Sequence, residues 1–328
     1  MPVIMKKYKA EMADGVKIIT RNDEIEVVMT FGQRDEYKVF YKKTDTGCEV
    51  KWTNVRWAEV GREYGELPFI YAALRDLELL LRRGLTYIVH FLLDTSSITE
   101  EYCRNVKDPF LNGLYALLPG RPNQLAVVKG EFNCGRCPQD MVWVLEKMLK
   151  TTTREVIMRG EKIGGPGLHL ALYADAVESS NVLRIPSMDR ADLIRLAAHP
   201  QRTEVGLVEE IFPQDVLRLT KRFLHYKLFS SALLTINVRK PFDTYSLHED
   251  FCSLRLPLNY ETTPSKVNAY IFPNYPEYRD DELWPDQRNV ITITLEVHKI
   301  TIHCRYEKTN YTPPTNQSIK IGKRTNDF

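Results

Sequence analysis

The sequence predicts an α/β fold with α+β edges: an irregular solenoid of strand and helix units, preceded by a β-meander and capped by a β-hairpin. Three observations predict it. Short apolar-rich runs separated by turn residues fill the first fifty residues, a strand-loop-helix unit then recurs, and the run "NVITITLEVHKITIHCRYE" alternates strongly near the end.

The first element is "VKIITRNDEIEVVMTF", two apolar runs around an Arg-Asn-Asp turn, followed by "EYKVFYKK", the turn "TDTG" and "CEVKW". Next, "LPFIYAALRDLELLLRRG" changes to helical spacing and ends on Gly84, a residue suited to the left-handed position after a helix. Within it, Leu74 to Arg83 reads as an apolar core stripe opposite a face of Asp, Glu and Arg. Six strands follow, "LTYIVHFLL", "QLAVVKG", "REVIMRG", "NVLRIPS", "TEVGLVE" and "ALLTINV", each separated from the next by polar or Gly/Pro residues and helix-like stretches. Matching Leu125/Val127, Val156/Met158, Leu183/Ile185, Val205/Leu207 and Leu234/Ile236 gives steps of about 22 to 31 residues, around the leucine-rich-repeat range. Such a unit buries its apolar face only by stacking on its neighbours. A doubly wound sheet shares the same alternation and is the other architecture compatible with it. The expected organisation is a leader over 1–14 and one domain over 15–306, with the meander at 15–55, the repeats at 66–240 and a loop-rich segment with the closing hairpin at 241–306. A polar tail at 307–328 is expected to be disordered.

Composition narrows the function classes. With 45 basic and 43 acidic side chains the net charge is +2, far from the footprint of a dedicated nucleic-acid or membrane-surface binder, so neither partner is expected. No signal-peptide pattern opens the sequence, and no apolar run reaches the roughly 18 residues of a membrane span. Cys48, Cys103, Cys134, Cys137, Cys252 and Cys304 are scattered, as expected of reduced thiols in the cytoplasm or nucleus.

The order "VFYKKTDTGCEVKW", "YAALRDLELLLRR", "FLNGLYALLPGRPNQLAVVKGEF" and "CPQDMVWVLEKMLKTTTREVIM" resembles the FTH domain found beside F-boxes in a large nematode family of F-box proteins. The resemblance continues through "SSNVLRIPS", "DVLRLTKRFLHYKLFSSALLTINVR" and the closing hairpin, covering roughly residues 15 to 306. It implies a leucine-rich-repeat-like, substrate-binding module attached to an F-box that docks on the Skp adaptor of a cullin-RING ubiquitin ligase. No segment here reads as an F-box, so the recognition module is expected to stand by itself unless an F-box is supplied elsewhere.

Four features bear on chemistry. Cys134 and Cys137 follow a strand and precede a helix-like stretch, the order of a thiol-disulfide oxidoreductase; this is the alternative function. Asn133 stands where that motif has an aromatic residue, and Pro138 at a first helical position favours a plain helix start. His298 and His303 lie five residues apart in the final strand, on opposite faces, so no metal is expected. The glycines from Gly160 to Gly167 fit neither nucleotide-loop template, and no cofactor is expected. Lys129, Arg159, Arg184 and Arg239 lie in or after four strands and are the candidate binding residues for a protein partner, with Arg184 expected to be solvated. Val127, Met158, Ile185 and Leu207 are expected to be equivalent buried positions. The predicted function is non-enzymatic protein recognition.

Overall fold

The computed structural model describes residues 14–32, 35–54, 59–83, 88–117, 126–134, 144–145, 149, 153–160, 175–196, 202–225, 232–241, 258–263, 266–271 and 287–308. The first five strands are β1 (Gly15–Arg21), β2 (Glu24–Phe31), β3 (Asp35–Thr44), β4 (Gly47–Asn54) and β5 (Glu59–Gly65), followed by helix α1 (Phe69–Arg83). Then come β6 (Ile88–Ser97), α2 (Asp108–Ala116), β7 (Val127–Asn133), β8 (Glu155–Arg159), α3 (Asp175–Glu178) and β9 (Val182–Ile185). After α4 (Leu193–Leu196), β10 (Arg202–Val208), α5 (Pro213–His225) and β11 (Ala232–Val238), the chain closes with β12 (Leu258–Thr263), β13 (Lys266–Ile271), β14 (Gln287–Glu296) and β15 (Lys299–Lys308).

All fifteen strands join one mixed sheet in the order β12-β13-β14-β15-β11-β10-β9-β8-β7-β6-β1-β2-β3-β4-β5. From β1 through β6 to β11 every pairing is parallel, and both flanks are antiparallel. Strands β6 to β11 follow one another in chain order without a reversal. Parallel crossovers are almost always right-handed, so a run that always steps in one direction puts its connections on one face. A doubly wound sheet reverses direction and covers both faces; no such reversal occurs here within β6 to β11.

The inward row is Val16 and Ile18 on β1, Phe91 and Leu93 on β6, Phe132 on β7, Val156 and Met158 on β8, Leu183 and Ile185 on β9, Val205 on β10, and Leu234 and Ile236 on β11. These side chains are buried in one core with Leu74, Leu77, Phe110, Leu114, Val177, Leu193, Val216 and Leu219 from the helices. Val28 and Ile157 are also buried but stand outside that core, on the opposite face.

Helix α1 forms because its apolar residues recur at helical spacing: Phe69, Ala73, Leu77 and Leu80 are buried and cover β2 to β4. Gly113 lets α2 approach α1, since a Cβ there would lie 2.2 Å from a Leu74 methyl carbon. Helix α5 opens at Pro213, where the absent N–H costs nothing, and the Asp215 carboxylate accepts the Phe212 N–H at 3.0 Å.

All six repeat strands read from the sequence are present, but their alignment differs at two of them. Val156 and Met158 pair with Gly130 and Phe132, not with Leu125 and Val127. Leu183 and Ile185 pair with Thr203 and Val205, so Leu207 is displaced by two residues and is only half-buried. Val127, Met158 and Ile185 are buried as expected. Strand β5 extends the meander, and β12 and β13 form a hairpin inside the segment read as loop-rich. His298 lies in the Val297–His298 turn rather than in the final strand. Gly84, Pro138, the stretch 161–174 of the glycine-rich loop and residues 309–328 of the tail lie outside the described residues.

Candidate functional site

Because side chains alternate along a strand, the residues between the inward rows form a second face. Three of the four candidate cations lie on it: Lys129 opposite His90 and Glu155, Arg159 opposite Asn133, and Arg184 opposite Ile157 and Glu204. Arg239 follows β11, where its backbone N–H donates to the Val208 carbonyl at 2.9 Å.

The structure places acids beside these cations. Arg184 Nη1 lies 3.2 Å from Glu155 and its Nε 3.0 Å from Glu204, which also meets Arg202 at 2.6 Å. Arg184 therefore joins an ion-pair chain while its side chain remains 44% exposed. Arg159 pairs with Glu131, which in turn accepts a hydrogen bond from His90 Nε2 at 3.3 Å. Glu131 is 4% exposed, and a carboxylate so deeply placed is tolerable only because a guanidinium and an imidazole flank it. Burial pushes the His90 pKa down, Lys129 adds to that, and Glu131 opposes it. Farther along, Asp94 accepts from the Ser96 N–H and hydroxyl at 2.9 and 2.7 Å and from the Asn133 amide at 3.2 Å.

A cleft of about 450 Å³ opens at the carboxyl ends of β9 to β11, lined by Met188, Asp189, Arg190, Leu207, Glu209 and Arg239 among others. Such strand ends are where open parallel sheets carry ligands. Its cations are already matched: Arg190 lies 4.5 Å over the Phe212 ring and 3.5 Å from Asp215, and Arg239 pairs with Glu209 at 3.1 Å.

Cys134 is a buried thiol directly after β7, and Cys137 lies outside the described residues. A redox thiol works as an accessible thiolate in electropositive surroundings. His298 Nδ1 lies 3.1 Å from the Val238 carbonyl, and no group of three metal-ligating side chains occurs among the described residues. No described helix is long and apolar enough to cross a membrane.

Sequence reasoning weighed cations alone and missed Lys17, His90, Glu131, Glu155 and Glu204. The signal was present in the alternation: Lys129 and Glu131 stand two apart in "VVKGEF", as do Asp94 and Leu92 in "HFLLD", so each pair shares a face.

These observations define a mixed α/β protein built on one large sheet, with a helix-covered face and a polar face of cross-strand ion pairs. No family model, no curated protein and no solved structure matches the chain.

Proposed function

We propose that the protein is a non-enzymatic recognition module that binds a protein target through the polar face of its parallel run. The carrying observation is the chain-ordered, one-directional strand succession from β6 to β11, whose polar face presents Lys129, Arg159 and Arg184 together. A curved, leucine-rich-repeat-like solenoid is the arrangement we propose for this run, since stacked strand-helix units present their strand face to partners. The resemblance to FTH modules supports the same reading and suggests the substrate-binding part of an F-box ubiquitin-ligase receptor. Affinity in such a surface comes from a few well-packed anchors rather than from total area.

The test is target capture followed by cross-linking mass spectrometry. Cross-links to the target concentrated on Lys17 and Lys129 support the reading; a map confined to the helix-covered side refutes it. Co-recovery of Skp and cullin assigns the module to a ligase, whereas their reproducible absence beside a specific target defines a stand-alone binder.

A further inference from the structure

On the polar face, nearly every arginine already has an acid. Arg159 holds Glu131, Arg184 holds Glu155 and Glu204, Arg202 holds Glu204, and Arg21 holds Glu24 and Glu26. Lys17 and Lys129 differ: among the described residues neither ammonium makes an ion pair or hydrogen bond, although both are half-buried. They flank His90. Lys129 is its direct neighbour on β7, while Gly15 is its neighbour on β1 and Lys17 stands two residues along. All three point to the polar face of three adjacent strands, with cross-strand neighbours about 5 Å apart.

Beside His90 on the β1 side, Gly15 is buried. It carries no side chain, and the Thr30 hydroxyl lies over its backbone, close to where a Cβ would be. The corner thus combines two ammonium groups, an imidazole and a neighbouring hydroxyl. Both lysines lie close enough to His90 to disfavour its protonation, while Glu131 favours it.

We infer that Lys17 and Lys129, on either side of His90, form an acceptor for a carboxylate side chain of an acidic peptide segment in the protein target. This rests on the polar face being the recognition surface. A half-desolvated ammonium without a partner gains more from an incoming carboxylate than a solvated one, because attraction strengthens as the effective dielectric falls. A discrete carboxylate fits better than a nucleic-acid backbone. Glu131 and Glu155 stand beside Lys129, and Asp94 and Glu204 lie farther across the same face, so a continuous polyanion would meet repelling charge within one strand spacing. A short acidic segment places one carboxylate at the corner and leaves the ion-paired rows undisturbed.

The experiment uses fluorescence anisotropy with the full chain and three defined probes: a short peptide alternating glutamate and valine, its lysine-valine counterpart, and a short single-stranded DNA. Wild type is expected to bind the glutamate peptide in preference to the other two. The double variant Lys17→Glu, Lys129→Glu should lose that peptide by about tenfold or more and gain the lysine peptide, a charge swap that a merely structural defect cannot produce. Its melting temperature should fall modestly, since Lys129→Glu sets a carboxylate directly opposite Glu155; Lys129→Gln, which adds no charge, should melt near wild type. Lys129→Gln should weaken the glutamate peptide by several-fold. Unchanged binding in the double variant, loss without the swap, or DNA binding as tight as the glutamate peptide would each overturn the acceptor. Such a failure leaves the recognition surface standing if target cross-links still fall on the polar face, and removes both if they do not.

Discussion

Ile185 and Leu207 provide a direct test of the sheet register. In an apolar-pattern alignment they are equivalent; in the structure Ile185 faces inward opposite Val205 and is 1% exposed, while Leu207 is half-buried at the cleft. Truncating either to alanine removes three carbons. At about 0.8 kcal/mol for each buried methylene-sized group, Ile185→Ala loses about 2.4 kcal/mol of transfer energy, and the cavity left between neighbouring units raises the cost to about 3 to 4 kcal/mol. Leu207 already shows part of its side chain to solvent and its site can refill with water, so Leu207→Ala should cost about 1 kcal/mol. Urea denaturation followed by far-UV circular dichroism separates the two. With a slope of roughly 3 kcal/mol per molar, the midpoint should fall by about 1 M for Ile185→Ala and by about 0.3 M for Leu207→Ala. Equal shifts, or a larger one for Leu207→Ala, would refute the register and with it the assignment of which residues share the polar face.

Three further outcomes are expected. The Tyr41 hydroxyl donates to the buried Asp76 carboxylate at 2.7 Å, so Tyr41→Phe should cost about 1.5 to 3 kcal/mol by urea denaturation; a loss below about 0.5 kcal/mol would show the bond to be dispensable. Burial pushes the Cys48 and Cys304 thiols up to about 11, so the folded chain keeps protons that the unfolded chain releases above its thiol pKa of about 8.5. The stability these groups supply is complete below that unfolded pKa and is lost as pH rises through about 11; urea midpoints from mildly to strongly alkaline buffer should decline, and less steeply in Cys48→Ala with Cys304→Ala. Arg184→Glu places a third carboxylate between Glu155 and Glu204 and should cost about 1 kcal/mol, kept small by solvent screening of a side chain that is 44% exposed; a melting temperature identical to wild type would contradict the ion-pair chain.

Element existence was legible wherever local periodicity and burial agree. Helix α1 carries its apolar stripe openly, the first four strands of the meander and the β14–β15 hairpin alternate, and each strand of the parallel run has an apolar stretch. Strand β5 did not signal itself, because "EVGREYG" has two glycines and three charged residues. It pairs all the same through β4, and Gly61 leaves room for the Trp52 indole, which occupies the space a Cβ would need. The β12–β13 hairpin was obscured by Pro264, which falls between the two strands in the sequence, and by the prolines around it.

The sequence by itself determined the α/β class, the six repeat strands in order and the helix-forming character of α1, because each depends on neighbours close along the chain. Register was decided only in three dimensions. Gly130 occupies an inward position because the Phe132 ring, 2.8 Å from where a Cβ would be, fills the space, and Thr203 is buried in the inward row of β10. A match that seeks apolar residues slides past both. The polar face follows the same rule. A strand shows which of its own side chains share a face, but whether Arg184 meets Glu155 and Glu204, or Lys129 stands opposite Glu155 without an ion pair among the described residues, depends on strands that the chain brings alongside only after long excursions.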